Sequence, residues 1–137
     1  MNYWLIKTEP GNYSWSDLIK DKTTFWDGVR NYQARNNLKA MQKGDLCLFY
    51  HSVNEKCVTG IAEVIKESYQ DPTTDDDRWV AVDIEIGEEL VQPVTLAQIK
   101  NDARLDQMVL VKNSRLSVQP VKKEEFDIVI GLGNPNS

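Results

Sequence analysis

Residues 46–52, LCLFYHS, carry Leu46, Leu48, Tyr50 and Ser52 on one alternating face and Cys47, Phe49 and His51 on the other. Successive strand side chains point to opposite faces, so a strand that is largely apolar on both must be covered on both. The segment therefore reads as a central strand, and the chain must supply material above and below it. YWLIKT, residues 3–8, has the same two-faced apolar character. WVAVDIEI alternates instead, with Val80, Val82, Ile84 and Ile86 inward and Asp83 and Glu85 outward, which predicts a half-buried strand.

Residues 57–66 form the expected return strand. Gly60 and Ala62 share a face there, where another backbone or a ligand approaches or where a barrel curves. RLSVQPV reads as a short edge limited by Pro120. Between these lie helical signals. Ser14 and Asp17 form a capping box heading a short helix with Trp15, Leu18 and Ile19 available for burial. Ala34, Leu38 and Met41 recur at i, i+4 and i+7, the apolar stripe of a helix of about ten residues. Thr95 and Gln98 form a second box, residues 104–111 another helical turn, and a final helix spans about 122–130. That last helix has Glu124 and Glu125 in its first turn and Gly131 at its C-cap. Roughly five to six strands and four to five short helices in this order do not alternate as βαβ units. The expected fold is α+β: a mixed, partly closed β-barrel with the helices packed around it, residues 1–137 forming a single domain.

With 41% hydrophobic and 27% charged residues, neither disorder nor a membrane protein is indicated. No apolar run approaches the roughly 18 residues of a membrane span, and MNYWLIKTEP lacks the features of a signal peptide. The expected location is cytoplasmic, or nuclear where a nucleus exists. A hairpin pairing His51 with Lys56 would set Cys47 opposite Gly60 and Cys57 opposite Tyr50, so both cysteines are expected as free buried thiols. Two cysteines and one histidine at these spacings imply no metal site, and no cofactor is expected.

The formal charge of −5 argues weakly against a nucleic-acid partner, but its distribution argues the other way. Residues 28–43 carry Arg30, Arg35, Lys39 and Lys43 with no acid, whereas residues 70–89 carry eight acids against Arg78 alone. Such segregation can turn one face toward a polyanion. The acidic, turn-rich QDPTTDDD reads as an exposed loop. Overlapping the basic stretch, residues 25–38, FWDGVRNYQARNNL, crowd aromatic and polar groups around an Asp27-Gly28 turn, more than a core helix uses. It reads as the wall of a binding pocket.

YWLIKTEP, YSWSDL, WDGVRNYQARNNL, GDLCLFYHS, GIAEV, WVAVDIEI and RLSVQP together resemble the EVE domain, a PUA-like fold related to the YTH readers of methylated RNA. The resemblance spans residues 3 to about 130. It implies a pocket for a modified base in DNA or RNA, single-stranded or flipped from a duplex, enclosed by aromatics. By motif position Trp26 is similar to a cage tryptophan, and Lys7 and Thr8, with Glu9 beside them, lie where the related strand exit meets the base. The chain departs from the family at Cys57, at Lys122 and in its shortened DPTTDDD loop. The loop leaves the second cage aromatic open among Trp15, Tyr32 and Tyr50. Asn31, Gln33, Ser52 and Thr8 can supply donors and acceptors, and Arg30, Arg35 and Lys39 can hold flanking phosphates. Asn31 can equally cap the helix.

No nucleophile elbow, phosphate-binding glycine loop or zinc motif is present, so a non-catalytic binding domain is expected. Two alternatives stand beside it. One is an enzyme acting on RNA or a modified nucleoside, as in ASCH-like relatives, with His51, Lys7 or Glu9 as its groups. The other is a small protein-interaction domain.

Overall fold

The computed structural model describes residues 1–135. Its elements run β1 (Tyr3–Thr8), α1 (Trp15–Asp21), β2 (Thr23–Trp26), α2 (Tyr32–Ala40), β3 (Leu46–His51) and β4 (Cys57–Gln70). They continue β5 (Val80–Thr95), α3 (Leu96–Asn101), a 3-10 turn (Ala103–Leu105), α4 (Val109–Lys112), β6 (Val118–Val121) and α5 (Lys123–Gly133). The six strands join one sheet in the order β2-β5-β4-β3-β1-β6. Only β1 and β3 run parallel; the other pairs are antiparallel. β2 and β6 end the sheet without pairing with each other, so the barrel is partly closed, and the fold is α+β as expected. Helix α2 packs against β6, β5 and β4 and bridges the gap. The Asn37 amide fastens it, donating to the Val118 carbonyl at 2.7 Å.

Both faces of the central strands are covered. Trp4, Ile6, Cys47 and Phe49 pack with Trp15, Leu18, Trp26, Leu38 and Val82 on one side. Leu5, Leu48 and Tyr50 pack with Ile99, Leu105, Phe126 and Val129 on the other, beneath the C-terminal helices. The expected capping boxes at Ser14 and Thr95 are both formed. Ala34, Leu38 and Met41 are all buried. Among the described residues no helix is long and apolar enough to cross a membrane.

Several local expectations are corrected. The β3–β4 hairpin pairs His51 with Cys57 rather than Lys56, and an irregularity between Phe49 and Tyr50 shifts the register by one more, so that Cys47 pairs with Ala62. The cysteines still do not meet; both are free and buried. β5 continues well past Ile86, since pairing with β4 carries GEELVQPVT across successive register shifts although its pattern no longer alternates. Ile19 is 45% exposed, one position off the face that buries Trp15 and Leu18. Gly131 lies inside α5, whose cap is Asn134. The close approach at Gly60 is also resolved: an added Cβ there would sit 2.4 Å from the Trp15 ring and 2.9 Å from the Glu88 carbonyl.

Candidate functional site

β2 is an edge strand, and the sequence after it turns away at once. Gly28 has φ +75°, a conformation open to glycine and strained for other residues. The segment that follows is tied down from an unexpected quarter. Asp71, placed by sequence in an exposed acidic loop, is fully buried. Its Oδ2 accepts hydrogen bonds from the Gly28 N–H at 2.8 Å and Arg30 Nη1 at 3.0 Å, and its Oδ1 from the Thr73 N–H at 2.7 Å and hydroxyl. Burial opposes its charge, but these donors outweigh it and hold the carboxyl at about 2. The acidic and basic stretches thus meet rather than occupy separate faces. Nothing in the charge pattern alone could single out Asp71 from its neighbours.

Between this fastened loop and the exit of β1 lies a cleft of about 470 Å³, at the seam where the sheet fails to close. Its walls include Lys7, Thr8 and Glu9 from β1 and its exit, Phe25, Trp26 and Asp27 from β2 and its exit, and Arg30. Asn12, Tyr13 and Ser117 complete it from neighbouring loops. The volume is within the roughly 300–1,000 Å³ of small-molecule sites. Trp26 is 8% exposed and edge-on to both Tyr13, at 6.3 Å, and Phe49, at 5.6 Å. Thr8 Oγ1 donates to the Tyr13 carbonyl at 2.7 Å and so fixes that loop against β1. Burial lowers the Lys7 pKa and the Lys56 ammonium lowers it further; its Nζ donates to the Ser114 carbonyl.

Five of the residues expected at a site therefore come together here: Lys7, Thr8, Glu9, Trp26 and Arg30. The others lie elsewhere. Tyr50 is 2% exposed in the core on the opposite side of the sheet, so it is no cage candidate. Trp15 is 4% exposed; its indole donates to Glu89 at 2.9 Å, and its backbone N–H donates to His51 Nε2 at 3.0 Å. Both Trp15 and His51 border a separate groove. Ser52 binds the Thr8 carbonyl from behind through N–H and hydroxyl, at 2.8 and 3.2 Å. Asn31 caps α2, accepting from the Ala34 N–H at 2.9 Å, while Gln33 and Lys39 stand exposed on the helix outside the cleft. Tyr32 and Arg35 are also outside it. The Arg35 guanidinium lies 5.0 Å from the Tyr32 ring centre, and that ring lies 5.1 Å from Trp79.

Phe25 and Asp27 belong to the FWDGVRNYQARNNL stretch read as a pocket wall, although neither was named as a site residue, and Tyr13 and Ser117 were not singled out from sequence. Tyr13 and Ser117 do fall inside the YSWSDL and RLSVQP motifs, which was the available signal. The exit of β2 follows from its pairing. The Ile86 N–H donates to the Lys22 carbonyl at 2.7 Å, so in antiparallel alternation Thr24 and Trp26 bond to β5 while Thr23 and Phe25 present their backbone groups to the open edge.

The EVE domain family model matches residues 2–132. Human thymocyte nuclear protein 1 is 35% identical over 165 residues, covering 96% of this chain and 73% of that protein. The crystal structure of human THYN1 protein in complex with 5-methylcytosine-containing DNA aligns with TM-score 0.90 at 35% identity, covering 97% of this chain and 98% of that one. A protein from Agrobacterium tumefaciens aligns with TM-score 0.94 at 44% identity, covering 100% and 97%. The YTH domain of Zygosaccharomyces rouxii MRB1 shares the fold, with TM-score 0.63 at 16% identity over 97% of this chain and 86% of that one. With its fold, its motifs and these matches in agreement, the chain belongs to the EVE domain family.

Proposed function

We propose that this protein binds a modified nucleobase of DNA or RNA in the seam cleft, with Trp26 as the stacking wall. The observation that carries the reading is the cleft itself: an aromatic-walled cavity of about 470 Å³ that gathers Lys7, Thr8, Glu9 and Trp26 at the open edge of the sheet. The likeness to human THYN1 protein, solved with 5-methylcytosine-containing DNA, supports the ligand class. Glu9 and Asp27 make the cleft rich in acceptors, which suits the exocyclic amine of a cytosine or adenine better than a phosphate. Phe25 adds backbone donor and acceptor groups at the free strand edge.

Stacking a base on an aromatic ring contributes about 1–3 kcal/mol, and drawing one from a duplex costs a few kcal/mol. The cleft therefore takes a single-stranded or already extruded base. A buried methyl adds only about 0.8 kcal/mol, roughly fourfold, so discrimination rests on the polar groups at the base edge together with the fit. Arg30 has a different task from the phosphate contact expected of it: it holds the loop to Asp71. Lys39 remains for a flanking phosphate. The role is binding rather than turnover, in whichever compartment holds the nucleic acid, the cytoplasm where there is no nucleus.

The test is a fluorescence titration, read from the tryptophans, of 5-methyldeoxycytidine, N6-methyladenosine and their plain counterparts, free and within short single strands. A modified ligand should bind better than its plain form, and Trp26→Leu should remove the difference. Equal binding of every modified and plain pair overturns the reading.

A further inference from the structure

Outside the cleft, on the far side of the Arg30–Asp71 contact, an aromatic and guanidinium stack has no evident structural need to face solvent. Tyr32 opens α2 and is 52% exposed. Its ring is tilted 30° to that of Trp79, which is 9% exposed at the end of the loop that runs from Asp71 to the start of β5. The Tyr32 hydroxyl accepts from Arg78 Nη1 at 3.1 Å, which fixes the ring in its plane. Arg30 and Arg78 lie over Trp79 at 5.6 and 5.9 Å, and Arg35 lies over Tyr32. Arg35 is held in turn by the Asn36 side chain at 2.8 Å and the Arg78 carbonyl at 3.3 Å.

The charges around this stack are largely answered. Arg30 pairs with Asp71 and Arg78 with Asp76, while Asp75 and Asp77 are exposed on the same loop. A phosphate gains little there. What the patch offers is a flat, pre-ordered surface of ring and guanidinium planes, the chemistry on which an unpaired base stacks with little regard to its identity. Arg30 belongs to both features, lining the cleft on one side and covering Trp79 on the other, so the two sites adjoin.

We propose that the Tyr32–Arg35 surface, backed by Trp79, is a second subsite that stacks the base next to the one held in the cleft. The inference rests on the cleft being a base site. It divides the work: the cleft selects the modification, and the stack selects a strand over a free nucleoside without reading sequence.

The test compares two probes, 5-methyldeoxycytidine and a single-stranded trinucleotide with 5-methylcytosine at its centre, on the wild type, Tyr32→Ala, Arg35→Ala and Trp26→Leu. The trinucleotide should bind about tenfold more tightly than the nucleoside. Tyr32→Ala should erase that gain and leave nucleoside affinity unchanged, with the melting temperature confirming the fold. Arg35→Ala, which keeps the ring, should erase part of it. The part of the gain that Tyr32→Ala removes should also survive added salt, because the Lys39 contact to a flanking phosphate is screened away and a stack is not. If Tyr32→Ala weakens both probes alike, or neither, the second subsite is overturned while the cleft reading stands. If neither probe binds the wild type, or Trp26→Leu leaves nucleoside binding intact, the cleft reading falls and this inference with it.

Discussion

Trp15 and Trp26 begin alike. Both are nearly buried, and both meet Phe49 edge-on, at 5.3 and 5.6 Å. What separates them is the state of the sheet around them. Trp15 lies across paired strands: its ring tip fills the space that Gly60 leaves, and its indole N–H is bound by Glu89. Trp26 ends an edge strand at the seam, beside a turn that leads the chain away and leaves an opening in front of it. The same ring against the same neighbour is a structural pin where strand pairing closes over it, and a cleft wall where pairing stops.

The largest effects test that contrast directly. Trp15→Ala should cost about 3–5 kcal/mol in urea denaturation, the usual penalty for removing a buried indole; the exposed Glu89 carboxylate that loses its indole partner is simply rehydrated. Gly60→Ala, from the other side of the same contact, should cost about 1–3 kcal/mol, because the Trp15 ring and the Glu88 carbonyl cannot both retreat. Trp26→Leu should cost less stability than Trp15→Ala and more ligand affinity. A Trp15→Ala protein that folds with near-native stability would break the comparison.

A middle-sized effect belongs to the fastening of the seam. Asp71 has its pKa depressed to about 2 from the 3.8 of a free aspartate, so its contribution is complete above about pH 4 and is lost as the pH falls toward 2. That shift corresponds to about 2 kcal/mol. Asp71→Asn should lose a similar amount at neutral pH, since an amide nitrogen in place of one oxygen would face the Gly28 and Arg30 donors. Because those donors belong to the cleft rim, ligand affinity should fall in the same variant. Stability lost with affinity unchanged would show that the loop holds its shape without the carboxylate.

The difference between the two tryptophans was only half legible in the sequence. Local signals carried through: the two-faced apolar pattern of LCLFYHS, the stripe of Ala34, Leu38 and Met41, and the Ser14 and Thr95 caps, all set by neighbours within a few residues. Trp26, Lys7, Thr8 and Glu9 were assigned together by motif resemblance, and they do converge. The misses depend on pairing between distant segments. Asp71 looks solvated until the loop is folded back onto Gly28 and Arg30. Tyr50 alternates correctly along β3, yet only the sheet order puts its face beneath α5 and away from the seam. Gly60 announced a close approach without saying that Trp15 makes it.

The smallest expected effect lies at the closed end, where His51 accepts the hydrogen bond from the first residue of α1. An acceptor at Nε2 must be neutral, and a protonated ring would oppose both that N–H and the positive end of the helix dipole. Burial accordingly lowers the His51 pKa, against the opposing pull of the Glu55 carboxylate. The sign follows: the unfolded chain takes up the proton first, so the stabilisation is complete above about pH 6.5 and declines as the pH falls below it. His51→Gln keeps an acceptor for the Trp15 N–H and removes the titration. Its unfolding free energy should therefore be flatter than that of the wild type between about pH 7 and pH 5, while binding at the cleft, which His51 does not line, should not change. Equal slopes for the two proteins would mean that the helix start tolerates the charged ring, and the closed end would then be less rigidly pinned than Trp15 implies.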